Sequence, residues 1–123
     1  MTYSITWDKK IAFCKFSGEV SGQELVECNM SMYGNSNFDN TKFQVFDMLN
    51  ATKFTFTRND VIKVAAFDRA AAKIWPRMKC ALVSTNQIAL ELSNVYQNEI
   101  HNSPWEGKSF QTIDDALEWF SQA

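Results

Sequence analysis

Apolar and polar positions alternate with a period of two over residues 3–7 and again over 11–17. Tyr3, Ile5 and Trp7 fall on one face of the first run. In the second, Ile11, Phe13 and Lys15 face one way and Ala12, Cys14 and Phe16 the other. Asp8-Lys9-Lys10 between them reads as a turn and Gly18 as the exit, so the chain is predicted to open with a β-hairpin. From Ser21 the spacing becomes helical. Ser21 with Glu24 forms a capping box, and Leu25, Cys28 and Met32, with Met30 and Tyr33, give a loose apolar stripe. Gly34-Asn35 is placed to end that helix in the left-handed conformation.

Residues 43–49 are apolar on both faces apart from Gln44 and Asp47, the pattern of an interior strand covered on two sides. Residues 50–56 read as a loop. Thr57 with Asp60 resembles a second capping box, after which Val61, Val64, Phe67 or Asp68, Ala71 and Trp75 recur at helical spacing until Pro76 stops the helix. Residues 79–84 form a short apolar strand, 86–100 a helix, 101–107 a loop and 108–111 a last strand. Thr112 with Asp115 caps a closing helix whose core side is Ile113, Ala116, Leu117 and Phe120. The predicted order is ββαβαβαβα. Strands that alternate with helices imply right-handed crossovers, so the expected fold is α/β, with a mostly parallel sheet of about five strands, an antiparallel first edge and about four helices.

Composition fits one domain over residues 1–123, with no repeat or linker to divide it. Twelve basic against fourteen acidic residues, a net charge of −2, leave no basic stripe, which argues against nucleic-acid binding. The first residues lack a basic segment followed by an apolar one, and no apolar run approaches the ~20 residues that span a bilayer. A cytoplasmic protein without stable membrane insertion is expected. Cys14, Cys28 and Cys80 are odd in number, show no CxxC spacing and sit in apolar stretches, which reads as buried reduced thiols. Ten Phe, four Trp and three Tyr exceed what a small core needs, so a pocket or a homodimer surface is expected to use some of them.

No metal-ligand spacing surrounds His101, the only histidine, and neither a nucleophile elbow nor a glycine-rich phosphate loop is present, so no catalytic set, metal site or cofactor is assigned. Asp47 lies near the carboxyl end of the most buried strand, where open α/β sheets bind ligands; the plain alternative is a carboxylate that accepts N–H groups of the next loop. An enzyme using Asp47 with Ser84 or Arg58 is the less favoured reading. Thr57 is either a simple N-cap or a phosphorylation site at a helix N-terminus, with Thr52 and Thr55 in the same loop. Ser84, with Thr85 and Asn86, is a polar rim or again a cap. A pocket for a small apolar or lipid-like ligand is expected near Asp47, Phe54, Phe56, Trp75 and Ser84.

Four segments carry a family resemblance: Gly18-Glu-Val-Ser-Gly-Gln-Glu-Leu25, Val45-Phe-Asp-Met-Leu49, Lys79-Cys-Ala-Leu-Val83, and Ser109-Phe-Gln-Thr-Ile-Asp-Asp-Ala-Leu-Glu-Trp-Phe120. Together they resemble the SpoIIAA-like (STAS/Sec14-related) small bacterial proteins over nearly the whole chain. The resemblance implies a compact α/β fold without enzyme activity, acting as a regulatory, partner-binding module or as a holder of lipid-like ligands. Anti-sigma-factor antagonists of this type carry a phosphorylatable serine in a D-S-S/G motif after the central strand. Here that stretch is Phe54-Thr-Phe-Thr-Arg-Asn-Asp60, in which the motif is absent and only Thr57 could stand in for the serine.

Overall fold

In a computed structural model the described residues are 2–122. The elements are β1 (Tyr3–Asp8), β2 (Ile11–Val20), α1 (Gly22–Tyr33), a 3₁₀ turn (Ser36–Asn40), β3 (Phe43–Phe54), α2 (Arg58–Ala71), β4 (Lys79–Val83), α3 (Gln87–Glu99), β5 (Glu106–Phe110) and α4 (Ile113–Ser121). One five-stranded sheet has the order β1-β2-β3-β4-β5. β1 runs antiparallel to β2, and every other neighbouring pair is parallel. This is the predicted α/β order, with β3 at the centre.

Parallel strands laid down in sequential order place successive crossovers on one side of the sheet. α1, α2 and α3 accordingly pack on one face, over Ala12, Cys14, Phe16, Met48 and Cys80. α4 covers the other, where Ala116 and Phe120 meet Val45, Ala81 and Val83. β3 is buried from both sides because alternate side chains serve the two cores: Gln44, Phe46 and Met48 face the three helices, while Phe43 and Val45 face α4. Among the described residues no helix is long and apolar enough to cross a membrane.

The structure departs from the sequence pattern in five places. β2 runs past Gly18 to Val20, and β3 continues to Phe54 where a loop was expected. Residues 50–54 pair only with β2, across register shifts at Lys15/Ser17 and Gly18/Glu19, and Gly18 absorbs the irregularity at φ +68°. The two strands thus form a ribbon that outruns the rest of the sheet. Gly34 is right-handed at φ −85°, so α1 does not end in the left-handed conformation. The chain instead turns into the 3₁₀ segment, capped by Asn35, which buries Phe38. α2 stops at Ala71, and Trp75 follows on a tightened turn whose N–H groups return to Ala70 and Ala71. β5 begins at Glu106, two residues early.

α1 and α2 start side by side. The Asp60 carboxylate accepts the Thr57 backbone N–H at 2.8 Å, while the Asp60 N–H donates to Thr57 Oγ1 at 3.3 Å. Gly22, the first residue of α1, lies so close that a Cβ there would stand 2.1 Å from Asp60 Oδ2. Gly22→Ala should therefore drive Asp60 out of the α2 cap and lower stability by about 1 kcal/mol in urea denaturation. In an Asp60→Ala background that loss should vanish; an equal loss in both backgrounds would contradict the contact.

Candidate functional site

α2 presents Val61, Val64, Ala65 and Ala71 to the core, and in the same stripe Asp68. Asp68 is only 2% exposed, so its carboxylate must find its partners within the protein. Oδ1 accepts from Asn29 Nδ2 at 3.1 Å and from the Tyr33 hydroxyl, and Oδ2 accepts from the Tyr96 hydroxyl at 2.6 Å. Asn29 and Tyr33 stand four residues apart on α1 and so share a face, and Asn29 Nδ2 also reaches the Tyr33 oxygen at 3.0 Å. Tyr96 belongs to α3. The Cys80 sulfur lies 3.6 Å from the Tyr96 hydroxyl and donates weakly to Gln44 Oε1 at 3.7 Å. One carboxylate thus binds all three helices of this layer, and through Cys80 and Gln44 the network reaches β4 and β3.

Burial raises the Asp68 carboxyl above its ordinary range, and the three hydrogen bonds pull it partly back. The Tyr33 and Tyr96 hydroxyls are pushed up, first by burial and then by the Asp68 charge. The Cys80 thiol rises for the same two reasons. The Cys14 thiol rises through the neighbouring Cys28 thiol and through burial, and it donates to the Met32 sulfur at 3.5 Å. All three cysteines are buried and free. Cys14 and Cys80 are held protonated, which makes them poor nucleophiles.

Against this network lies a cavity of about 70 Å³ between the helices and β3–β4. Its polar base is Asn29, Gln44, Asp68, Cys80 and Tyr96; towards the carboxyl ends of the strands the wall turns apolar, with Met48, Phe56, Val61, Leu82 and Leu92. An apolar cavity of ~150 Å³ holds one benzene, so the space suits a short body and not a full acyl chain. Asn29 and Gln44 are each 1% exposed, and both line the cavity. Asn29 Oδ1 and Gln44 Nε2 nevertheless have no protein partner. Among the described residues no group of three or more His, Cys, Asp or Glu is placed to hold a metal ion.

Phe56 lines this cavity, and Phe54 packs edge-on against it at 5.7 Å between ring centroids. Asp47, lying between Phe46 and Met48 on β3, faces the opposite side of the sheet and accepts the Leu49 N–H at 3.0 Å. Ser84 is buried and accepts the Asn86 N–H at 3.0 Å, which shapes the turn into α3. Thr57 is exposed in its capping box. Trp75 stands apart, at the amino end of β4. It stacks on Tyr33, meets Phe38 edge-on, and donates from Nε1 to Asp39 at 2.9 Å. Of the residues expected at the pocket, the structure thus brings Phe56 alone to the cavity wall, with Phe54 packed against it, and leaves Asp47, Ser84 and Trp75 off the lining.

Asp68, Asn29, Gln44 and Tyr96 form the site that the sequence pattern did not single out. The available signal was polarity at core-facing positions: Asp68 within the α2 stripe and Gln44 within an otherwise apolar strand.

The fold has counterparts among solved structures. An uncharacterized protein from the DUF3478 family with a SpoIIAA-like fold, from Shewanella loihica PV-4, superposes with a TM-score of 0.52 at 16% identity, covering 95% of this chain and 90% of its own. The anti-sigma factor antagonist SpoIIAA in its unphosphorylated form superposes with a TM-score of 0.60 at 5% identity, covering 98% of each chain. No family profile matches the chain, and no curated protein does. The likeness is one of architecture: the chain has a SpoIIAA-like fold.

Tyr96→Phe removes a donor to ionised Asp68, so the carboxyl titration read by ¹³C NMR should move further up. A folded value above the unfolded one gives stability that is complete at acid pH and is lost as pH rises through the folded value. Above that window the variant should be about 1–3 kcal/mol less stable than the parent. A titration that stays in place or moves down would contradict the assigned hydrogen bond.

Proposed function

We propose that the protein is a non-enzymatic regulatory module that acts by binding, docking a protein partner at the carboxyl ends of its strands and holding a small, largely apolar ligand in the helix-layer cavity. The observation that carries this reading is the superposition on SpoIIAA over 98% of both chains, since SpoIIAA is an anti-sigma factor antagonist. The chemistry of the chain is consistent with it. Asp47 is engaged by the Leu49 N–H, Asp68 is closed in by three donors, and the buried Cys14 and Cys80 thiols are held protonated. Open α/β sheets present ligands and partners at the carboxyl ends of their strands. Leu49 in late β3 and Ile88 in the first turn of α3 are exposed there, at 40% and 53%.

A second reading, a phosphate switch at Thr57, is favoured by the exposure of that residue at the α2 N-terminus and by what adjoins it. A phosphate there would meet the free N–H groups of the helix but would repel the Asp60 carboxylate packed against Gly22. Phosphorylation would then loosen the start of α1 against α2, beside the proposed docking end.

Crosslinking mass spectrometry in the source cells tests both. A partner should be captured by the parent chain and by an Ile74→Asp control, and lost from a Leu49→Asp/Ile88→Asp variant that still folds. Equal capture by all three chains, or by none, would contradict docking at that end. Phosphopeptides from the same samples should place phosphate on Thr57 if the switch operates; unmodified Thr52, Thr55 and Thr57 would exclude it.

A further inference from the structure

The sheet ends in two strands that each have one unpaired side, β1 and β5. β5 is guarded. It spans only five residues, carries Glu106 and Lys108, and lies so close under α3 that a Cβ on Gly107 would stand 3.2 Å from Tyr96 and 3.3 Å from Gln97 and Ile100. β1 has none of these guards. Its six residues hold no proline, glycine or lysine, and its pairing with β2 runs from Tyr3↔Phe16 to Asp8↔Ile11 without a bulge. The Ser17 N–H donates to the Thr2 carbonyl at 2.8 Å, and alternation along the ladder then turns the N–H and C=O groups of Ser4, Thr6 and Asp8 towards β2. Those of Tyr3, Ile5 and Trp7 therefore point to the open edge. The same three side chains are half-buried against the helix-layer core, while Ser4, Thr6 and Asp8 are exposed on the other face.

We propose that β1 is the interface of a homodimer, in which it pairs antiparallel with β1 of a second copy about a two-fold axis at Ile5. With Ile5 opposite Ile5, every outward backbone group finds a mate. Ile5 exchanges both hydrogen bonds with its counterpart, and Tyr3 of each copy does so with Trp7 of the other. A slip of two residues would leave Tyr3 or Trp7 without its mate on β1. The side chains match in the same register: Tyr3 lies against Trp7 on the helix side with the two isoleucines between the aromatic pairs, and Ser4 lies against Thr6 on the opposite face. Charge agrees. The Lys9-Lys10 turn of each copy comes to the Thr2 end of the other, where Glu24 of α1 accepts the Thr2 N–H at 3.0 Å and Glu27 follows on the same helix. A strand of another protein would satisfy the backbone equally; the aromatic and charge matches are what favour a second copy. The inference goes beyond the proposed function and rests on neither the docking end nor the cavity.

Sedimentation velocity of the full chain from about 1 to 200 µM should show a species of twice the chain's mass that grows with concentration. Over the same range the amides of Tyr3, Ile5 and Trp7 should exchange with solvent more slowly by at least about tenfold, while those of β5 do not change. Two exposed positions test the register without touching the core. Ser4→Glu/Thr6→Glu sets acids directly opposite one another at both Ser4–Thr6 contacts and should give a folded monomer throughout. Ser4→Glu/Thr6→Lys sets opposite charges there, with the acid also beside Lys15 of β2, and should dimerise at least as tightly as the parent. A parent chain that stays monomeric, with unchanged exchange in β1, would overturn the proposal. So would a dimer that survives in both variants, which would place the contact elsewhere, or one lost from both, which would mean that Ser4 and Thr6 do not meet.

Discussion

A carboxylate in a protein core is tolerated only when its oxygens are hydrogen-bonded, and in this chain that requirement falls on Asp68. Its three donors come from two helices, Asn29 and Tyr33 on α1 and Tyr96 on α3, and Asp68 itself sits on α2. Satisfying one side chain therefore fixes the mutual placement of three helices over the sheet. Generic apolar packing around Leu25, Val64 and Leu92 would permit small slides of one helix past another; the carboxylate does not, because a shift of an ångström strands a buried charge. Arg69, next in the chain, ties α2 to the end of α3 from outside, through the Glu99 carbonyl at 2.8 Å. The cavity lies beside this polar cluster, between the helices and β3–β4.

The two sides of the sheet divide the work. α4 and the Val45, Ala81, Val83 layer form an apolar core in which Phe120 stacks on Phe43 at 4.5 Å. The helix-layer side carries every member of the polar network. An apolar layer and a polar, cavity-bearing layer thus lie on opposite faces of one central strand. β3 joins them: Val45 belongs to the apolar layer, Gln44 to the cavity, and its far end to the ribbon beside Thr57.

The alternation of β1 and β2, the two-sided burial of β3, and the caps at Ser21, Thr57 and Thr112 were legible because each is a local matter of spacing or of one hydrogen bond within four residues. The extension of β2 and β3 was not, because residues 50–54 carry little apolar signal and owe their strand state to pairing with a bulged partner at Gly18. Trp75 was placed by helical spacing on the cavity side, but α2 stops four residues before it, and the indole turns to Tyr33 and Phe38 at the other end of the sheet. Asp68 and Gln44 were visible as polar interruptions of apolar patterns. Asn29 and Tyr96 were not, since nothing in the order of residues says that they meet one carboxylate 39 and 28 positions away.

Amide hydrogen exchange on an Asp68→Asn variant tests the central claim most directly. The substitution keeps the shape but puts a donor where a tyrosine hydroxyl donates. If the carboxylate holds the layer together, slowly exchanging amides of α1, α2 and α3 should lose protection as one unit, by a factor of about 10–100, while α4 and its strand contacts keep theirs. Loss confined to the turn of α2 around residue 68, or no change at all, would mean that apolar packing alone sets the helices in place.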